Sequence, residues 1–150
     1  MAASWVTPVS TNPPIVAVSI SPKRKTFEMV LKSGEFALNI LDYRYVRQAF
    51  KAGQMSGRDV EDKFKEVELT PVDGLKINAP VIKEAEAVLE CEVWRVVETG
   101  DHSLFLGRVL EAYSTEKFKR GAWNLEKYNP MLHVGGDRFT TVGKQLESEI

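Results

Sequence analysis

One cysteine, Cys91, stands in a chain of 150 residues, and histidine occurs only twice. A disulfide within the chain is thereby excluded, and a reducing compartment fits best. One thiol and two imidazoles are also a poor stock for a dedicated zinc site. No apolar run approaches the roughly 20 residues that a membrane helix needs. Neither sign of charge prevails, since 20 Lys and Arg stand against 21 Asp and Glu. No global basic field therefore draws the chain to nucleic acid or to an anionic membrane. The opening Met1-Ala2-Ala3-Ser4-Trp5 has neither a basic region nor the apolar core of a secretory signal. The expected location is the cytoplasm. There is no internal repeat, no low-complexity stretch and no Gly-x-Gly-x-x-Gly fingerprint for a dinucleotide-binding unit.

What remains is an ordinary globular composition, 43% hydrophobic and 27% charged, suited to a single domain over residues 1–150 with a core of its own. Residues 15–20, Ile-Val-Ala-Val-Ser-Ile, read as a buried strand entered from Pro13-Pro14. Phe27, Val30 and Leu31 keep helical spacing ahead of Gly34, which predicts a short helix over 26–33. Phe36 to Leu41 reads as a strand. Val46, Ala49 and Phe50 share a helical face ended by Gly53, and Val60, Phe64 and Val67 suggest another short helix. From Glu86 to Glu98 the apolar Leu89, Cys91 and Val93 alternate with Glu90 and Glu92, the period of a strand with one face in solvent. His102 to Tyr113 is a second long strand, and Thr99-Gly100-Asp101 joins the two as a hairpin. Asn129-Pro130 and Gly135-Gly136-Asp137 mark loops, and Lys144 to Ile150 suits a terminal helix. Many strands, few short helices and no βαβ rhythm predict a mainly β fold, a barrel-like antiparallel sheet with helical insertions.

Two clusters of small polar residues stand out. Ser4, Thr7, Ser10 and Thr11 precede the prolines. After the first strand come Ser19, Ser21, Pro22, Lys23, Arg24, Lys25 and Thr26. Hydroxyls, cations and the unpaired N–H groups of a helix start suit an anion. The same residues also suit a helix cap and a solvated basic turn, and spacing alone favours that plainer reading.

The ordered set of motifs resembles the flavin reductase-like, FMN-binding split-barrel family, which includes flavoredoxins and the reductase components of two-component monooxygenases. The resemblance rests on Ala3-Ser4-Trp5-Val6-Thr7-Pro8-Val9-Ser10 with Asn12-Pro13-Pro14, and on Ser21-Pro22-Lys23-Arg24-Lys25-Thr26. It continues through Ser33 to Ile40, Ala79-Pro80-Val81-Ile82, Leu89-Glu90-Cys91, Gly100-Asp101-His102 and Gly107-Arg108-Val109. It implies an antiparallel, Greek-key-like split β-barrel that holds FMN without a covalent bond. Ser4, Trp5, Val6, Thr7 and Ser10 would lie along the isoalloxazine ring. Ser21, Arg24 and Thr26 would take the phosphate, with Lys25 as neighbour or bystander. His102, beside Asp101, would stand near the flavin or an incoming nicotinamide and is the one candidate for a catalytic role.

The activity so implied is an NAD(P)H-dependent flavin reductase, with NADH or NADPH as co-substrate and a redox partner protein as onward acceptor. The alternative is a flavoredoxin-like electron carrier without NAD(P)H activity. A homodimer is expected because the strand Leu104 to Leu110 is apolar on both faces. Family members carry one or two strands' worth of sequence ahead of the segment matched by Ala3 to Ser10. A missing N-terminal strand is therefore expected, with Ser4 and Trp5 left to fray. Plainer roles are expected elsewhere: core packing for Cys91, a buried hydrogen-bonding role for Asn39, solvation for Glu90 and Glu92. Trp123, Tyr128 and His133 are weighed between surface filler and contact with a partner or the cofactor edge.

Overall fold

The computed structural model describes residues 1–143, so the helix expected over 144–150 lies outside the described residues. A five-stranded antiparallel sheet is built from β1 (Val6–Thr11), β2 (Pro14–Ile20), β3 (Glu35–Ile40), β6 (Ala87–Glu98) and β7 (Ser103–Ser114). Its order is β1-β2-β7-β6-β3, with β1 and β3 as edges. Between β2 and β3 lies α1 (Lys25–Ser33), and between β3 and β6 lie α2 (Val46–Gln54), α3 (Lys63–Val67) and the two-residue strands β4 (Pro71–Val72) and β5 (Val81–Ile82). The tail forms two small hairpins, β8 (Phe118–Lys119) with β9 (Ala122–Trp123), and β10 (Leu132–Gly135) with β11 (Arg138–Thr140). The fold is thus mainly β with short helices, as the strand-rich pattern predicts.

Period-2 alternation builds the core. Val16, Val18 and Ile20 of β2 point to one face of the sheet and meet Phe36, Cys91 and Phe105. Helix α1 closes this face with Val30, and its Phe27 packs edge-on to Phe105, ring centroids 5.2 Å apart. Gly34 ends α1 in the left-handed conformation, φ 72°, and its N–H donates to the Val30 carbonyl. The hairpin of β6 and β7 turns at Gly100, φ 90°. Cys91 is fully buried and belongs to this core, and burial, with Glu90 beside it, pushes its thiol up to about 12.

Three expectations need correction. Glu90 is not solvated: it is 0% exposed, and its carboxylate accepts the N–H groups of Leu75 (2.8 Å) and Lys76 (2.6 Å) and the Tyr113 hydroxyl (2.9 Å). The physical reason is that the chain between β4 and β5 folds back over this part of the sheet and carries donors that need an acceptor. A β-bulge between Glu90 and Cys91 also breaks the strict alternation. Glu92, by contrast, reaches outward to Arg108. The second correction concerns Ser4 to Ser10. Residues from Val6 form a paired strand, and the Trp5 carbonyl accepts the Ser19 N–H at 3.0 Å, so the segment is tied to β2. Third, Tyr128 is core, 3% exposed and stacked on Trp123 at 4.2 Å. Burial, with Asp42 and Glu86 nearby, pushes its hydroxyl up to about 12. Asn39 does bond as expected, its side-chain oxygen accepting the Ile82 N–H at 2.8 Å.

Candidate functional site

A cavity of about 410 Å³ opens where the ends of β2 and β7, the start of α1 and the end of α2 converge. Ser21, Arg24, Lys25 and Thr26 form one wall, with Lys23 beside them. They lie there because β2 ends at Ile20, a turn closed by the Arg24 N–H on the Ser21 carbonyl (3.0 Å) follows, and α1 starts at once. Arg24 is the N-cap residue, and no side chain caps the helix. The first amides of α1 are thus left without the usual side-chain acceptor, at the end where the helix dipole favours an anion. Neither Ser21 nor Thr26 acts as the cap, whereas Lys23 and Arg24 are exposed, as the solvated basic turn of the plainer reading requires.

The opposite wall is the end of α2 and the turn after it: Ala52, Gly53, Met55, Ser56 and Gly57, with Lys63 from α3. It is held against the first wall by Arg58, which donates to the Lys23 carbonyl at 3.0 Å and to the Glu28 carboxylate. Lys25 binds the same carboxylate at 2.9 Å, so Glu28 absorbs both cations. Among the described residues no carboxylate lines the cavity, whereas Lys23, Arg24, Lys25 and Lys63 do. The local field therefore favours anions although the whole chain is nearly neutral.

At the mouth stand Ser4, Trp5 and His102. The Trp5 indole is 64% exposed and lies against the His102 ring, centroids 4.9 Å apart. His102 Nδ1 is 2.9 Å from the Asp101 carboxylate, and that hydrogen bond holds the Asp101 carboxyl below the usual range. His133 reaches the cavity from the β10–β11 hairpin, whose Phe139 packs on Phe50 of α2 at 6.1 Å.

The sequence-predicted residues Ser4, Trp5, Ser21, Arg24, Lys25, Thr26 and His102 are thus brought together around one cavity. Val6, Thr7 and Ser10 are not part of its lining; they run away from it along the edge strand β1. Sequence reasoning missed the second wall. Gly53, Gly57 and Lys63 carry no local signal of a site, because only the packing of α2 and α3 brings them to the basic cluster at the start of α1. The site fits a phosphorylated aromatic ligand: a volume in the range of small-molecule pockets, an uncapped helix start, lining cations of which Arg24 and Lys63 have no ion pair among the described residues, and an exposed indole at the rim.

The chain is similar to known proteins in sequence and in fold. The chain is 42% identical over 138 residues to an uncharacterized protein of Aeropyrum pernix, a match that covers 92% of the chain and 52% of the relative. It is 32% identical over 112 residues to an NADH-dependent FAD reductase of Streptomyces globisporus, covering 75% of the chain and 60% of that protein. The chain thus spans only about half the length of the first of these relatives. The crystal structure of flavoredoxin from Methanosarcina acetivorans superposes with a TM-score of 0.88 at 30% identity, over 99% of this chain and 79% of that one. That of an FMN-binding protein from Thermus thermophilus with bound p-hydroxybenzaldehyde gives 0.84 at 27%, over 98% and 79%. The family model described as flavin reductase like domain matches residues 1–141, and the chain belongs to that family.

Proposed function

We propose that this cavity seats FMN and that the chain passes electrons from NADH or NADPH to the flavin and on to an acceptor. The observation that carries the reading is the cation-lined cavity at the uncapped start of α1, with an exposed indole at its mouth. Ser21, Arg24, Thr26 and the first amides of α1 would hold the phosphate, to which charge-assisted bonds are the strong ones. Trp5 would meet the ring at the rim of the cavity, and Val6, Thr7 and Ser10, on the edge strand β1, would offer it unpaired backbone groups beyond that rim. The Thermus neighbour, described as FMN-binding, supports the choice of flavin, and the Streptomyces relative supports nicotinamide as donor.

Once bound, the flavin supplies the hydride-accepting and electron-relaying chemistry. The chain's own part is to bind, orient and shield. Asp101 fixes the His102 ring, and His102 and Trp5 together frame the opening through which a planar donor must come. No acid–base residue is demanded of the chain. The second reading, an electron carrier served by another protein, is favoured by the likeness to flavoredoxin. A homodimer suits both readings. Leu110 is 41% and Trp94 56% exposed, on the two long strands of the sheet. Such apolar surface is what a second copy covers.

The test is anaerobic mixing of the FMN-loaded protein with NADH and with NADPH. Bleaching of the flavin absorbance by either nucleotide, without another protein, supports the reductase. No bleaching, with bleaching by dithionite intact, supports the carrier. Sedimentation at micromolar concentration decides the dimer.

A further inference from the structure

Lys63 is the first residue of α3, a helix whose start is capped by Asp62, the carboxylate of which accepts the Lys65 N–H at 3.2 Å. That places the Lys63 side chain under the end of α2, half-buried, where its ammonium donates to the carbonyls of Ala52 (2.8 Å) and Met55 (2.5 Å). An ammonium has three N–H donors. Two are spent on these carbonyls, which supply hydrogen bonds and no countercharge. Among the described residues Lys63 has no ion pair, and neither has Arg24, which lines the same cavity. Of the other cations of this region, Lys25 and Arg58 are both taken by Glu28, while Lys23 and the Met1 ammonium line the cavity as well. Burial, with the Arg24 guanidinium near by, pushes the Lys63 ammonium below the usual lysine range. Two like charges held together without a carboxylate are a cost that a bound anion removes.

We infer that Lys63 is a further phosphate-binding residue of the flavin site, which directs its third donor at the phosphate from the wall opposite Ser21, Arg24 and Thr26. This rests on the reading of the cavity as a flavin site and adds to it a clamp. One side of the phosphate is met by the start of α1, the other by an ammonium on α3. Lys63 also keeps the second wall in place through the two carbonyls, so the wall and the charge arrive as one unit. The clamp makes the site selective for a terminal phosphate monoester, whose doubly charged form answers two opposed cations.

The experiment measures the affinities of FMN and riboflavin by flavin fluorescence for the parent, Lys63→Gln and Arg24→Ala, with melting temperatures for all three. Lys63→Gln can still donate to one carbonyl. The expected result is an FMN affinity weakened about tenfold, with riboflavin changed less than about twofold. Equal losses for both ligands would overturn the inference, since Lys63 would then only hold the wall. No loss for FMN would overturn it too. A parent that binds FMN no better than riboflavin would overturn the phosphate reading itself, and this inference with it. Acetic anhydride labelling of the unaltered protein gives a second readout that needs no variant to fold. Lys63 should be protected by FMN and by inorganic phosphate but not by riboflavin. Equal protection by riboflavin would count against the clamp.

Discussion

The indole of Trp5 and the imidazole of His102 lie 4.9 Å apart at 44°, one from the segment before β1 and the other from the turn before β7. Neither ring is placed by its own neighbours alone. Trp5 is fixed by its carbonyl on the Ser19 N–H, and His102 by Asp101. Strand β2 lies between β1 and β7, so the sheet itself sets this contact.

His102→Ala should therefore slow flavin reduction by nicotinamide roughly tenfold or more, because orientation of the donor is lost. FMN affinity should fall less, by what one ring contact contributes, about 0.5–1.5 kcal/mol. Stopped-flow reduction and equilibrium titration of the same variant check this. A parent-like reduction rate would remove His102 from the site.

Gly107→Ala should destabilise the fold by about 1–3 kcal/mol. A Cβ there would meet the Phe36 ring, with Cε1 at 2.7 Å, and the Cys91 Cβ at 2.9 Å. Chemical denaturation measures the loss, and Phe36→Leu should restore part of it in the double variant. Full parent stability in Gly107→Ala would show that the Phe36 ring moves aside freely.

Glu90 predicts how the fold responds to acid. Burial works against its ionisation, but the N–H groups of Leu75 and Lys76 and the Tyr113 hydroxyl outweigh it, and its carboxyl is held below the usual 4.5. The folded value lies under the unfolded one, so the stabilisation is complete above the unfolded value and is lost as pH falls through the folded one. Glu90→Gln should lower stability at neutral pH by about 1.5–3 kcal/mol. It should also flatten the decline below about pH 4.5. Urea titrations across that range give both numbers. An unchanged slope would mean that other carboxylates carry the acid response.

What could be read in the sequence was whatever is local. The β6–β7 hairpin follows from alternation and Gly100, α1 from the spacing of Phe27, Val30 and Gly34, and the turn between β2 and α1 from the polar run Ser21 to Thr26. Glu90 was illegible because its partners, Leu75 and Lys76, come from a loop laid over the sheet. Strand β1 was hidden by Pro8 and by a bulge between Pro8 and Ser10, which blur its alternation. The cavity wall at Gly53, Gly57 and Lys63 has no motif of its own, since tertiary packing alone opposes it to Arg24.

Cys91 should be inert while the protein is folded. Its thiol is fully buried and pushed up to about 12, so thiolate is scarce at neutral pH. A disulfide reagent should label it only at the rate of global unfolding. Prompt labelling of the native protein would contradict the core assignment.

The central claim is that the start of α1 holds the phosphate of FMN, and the most direct measurement is the selectivity of Arg24→Ala for FMN against riboflavin. Charge-assisted bonds to phosphate contribute on the order of 1.5–3 kcal/mol. The parent should bind FMN well above riboflavin, and Arg24→Ala should lose about tenfold or more for FMN with riboflavin nearly unchanged. Equal losses for the two ligands, or a parent that does not distinguish them, would contradict the account.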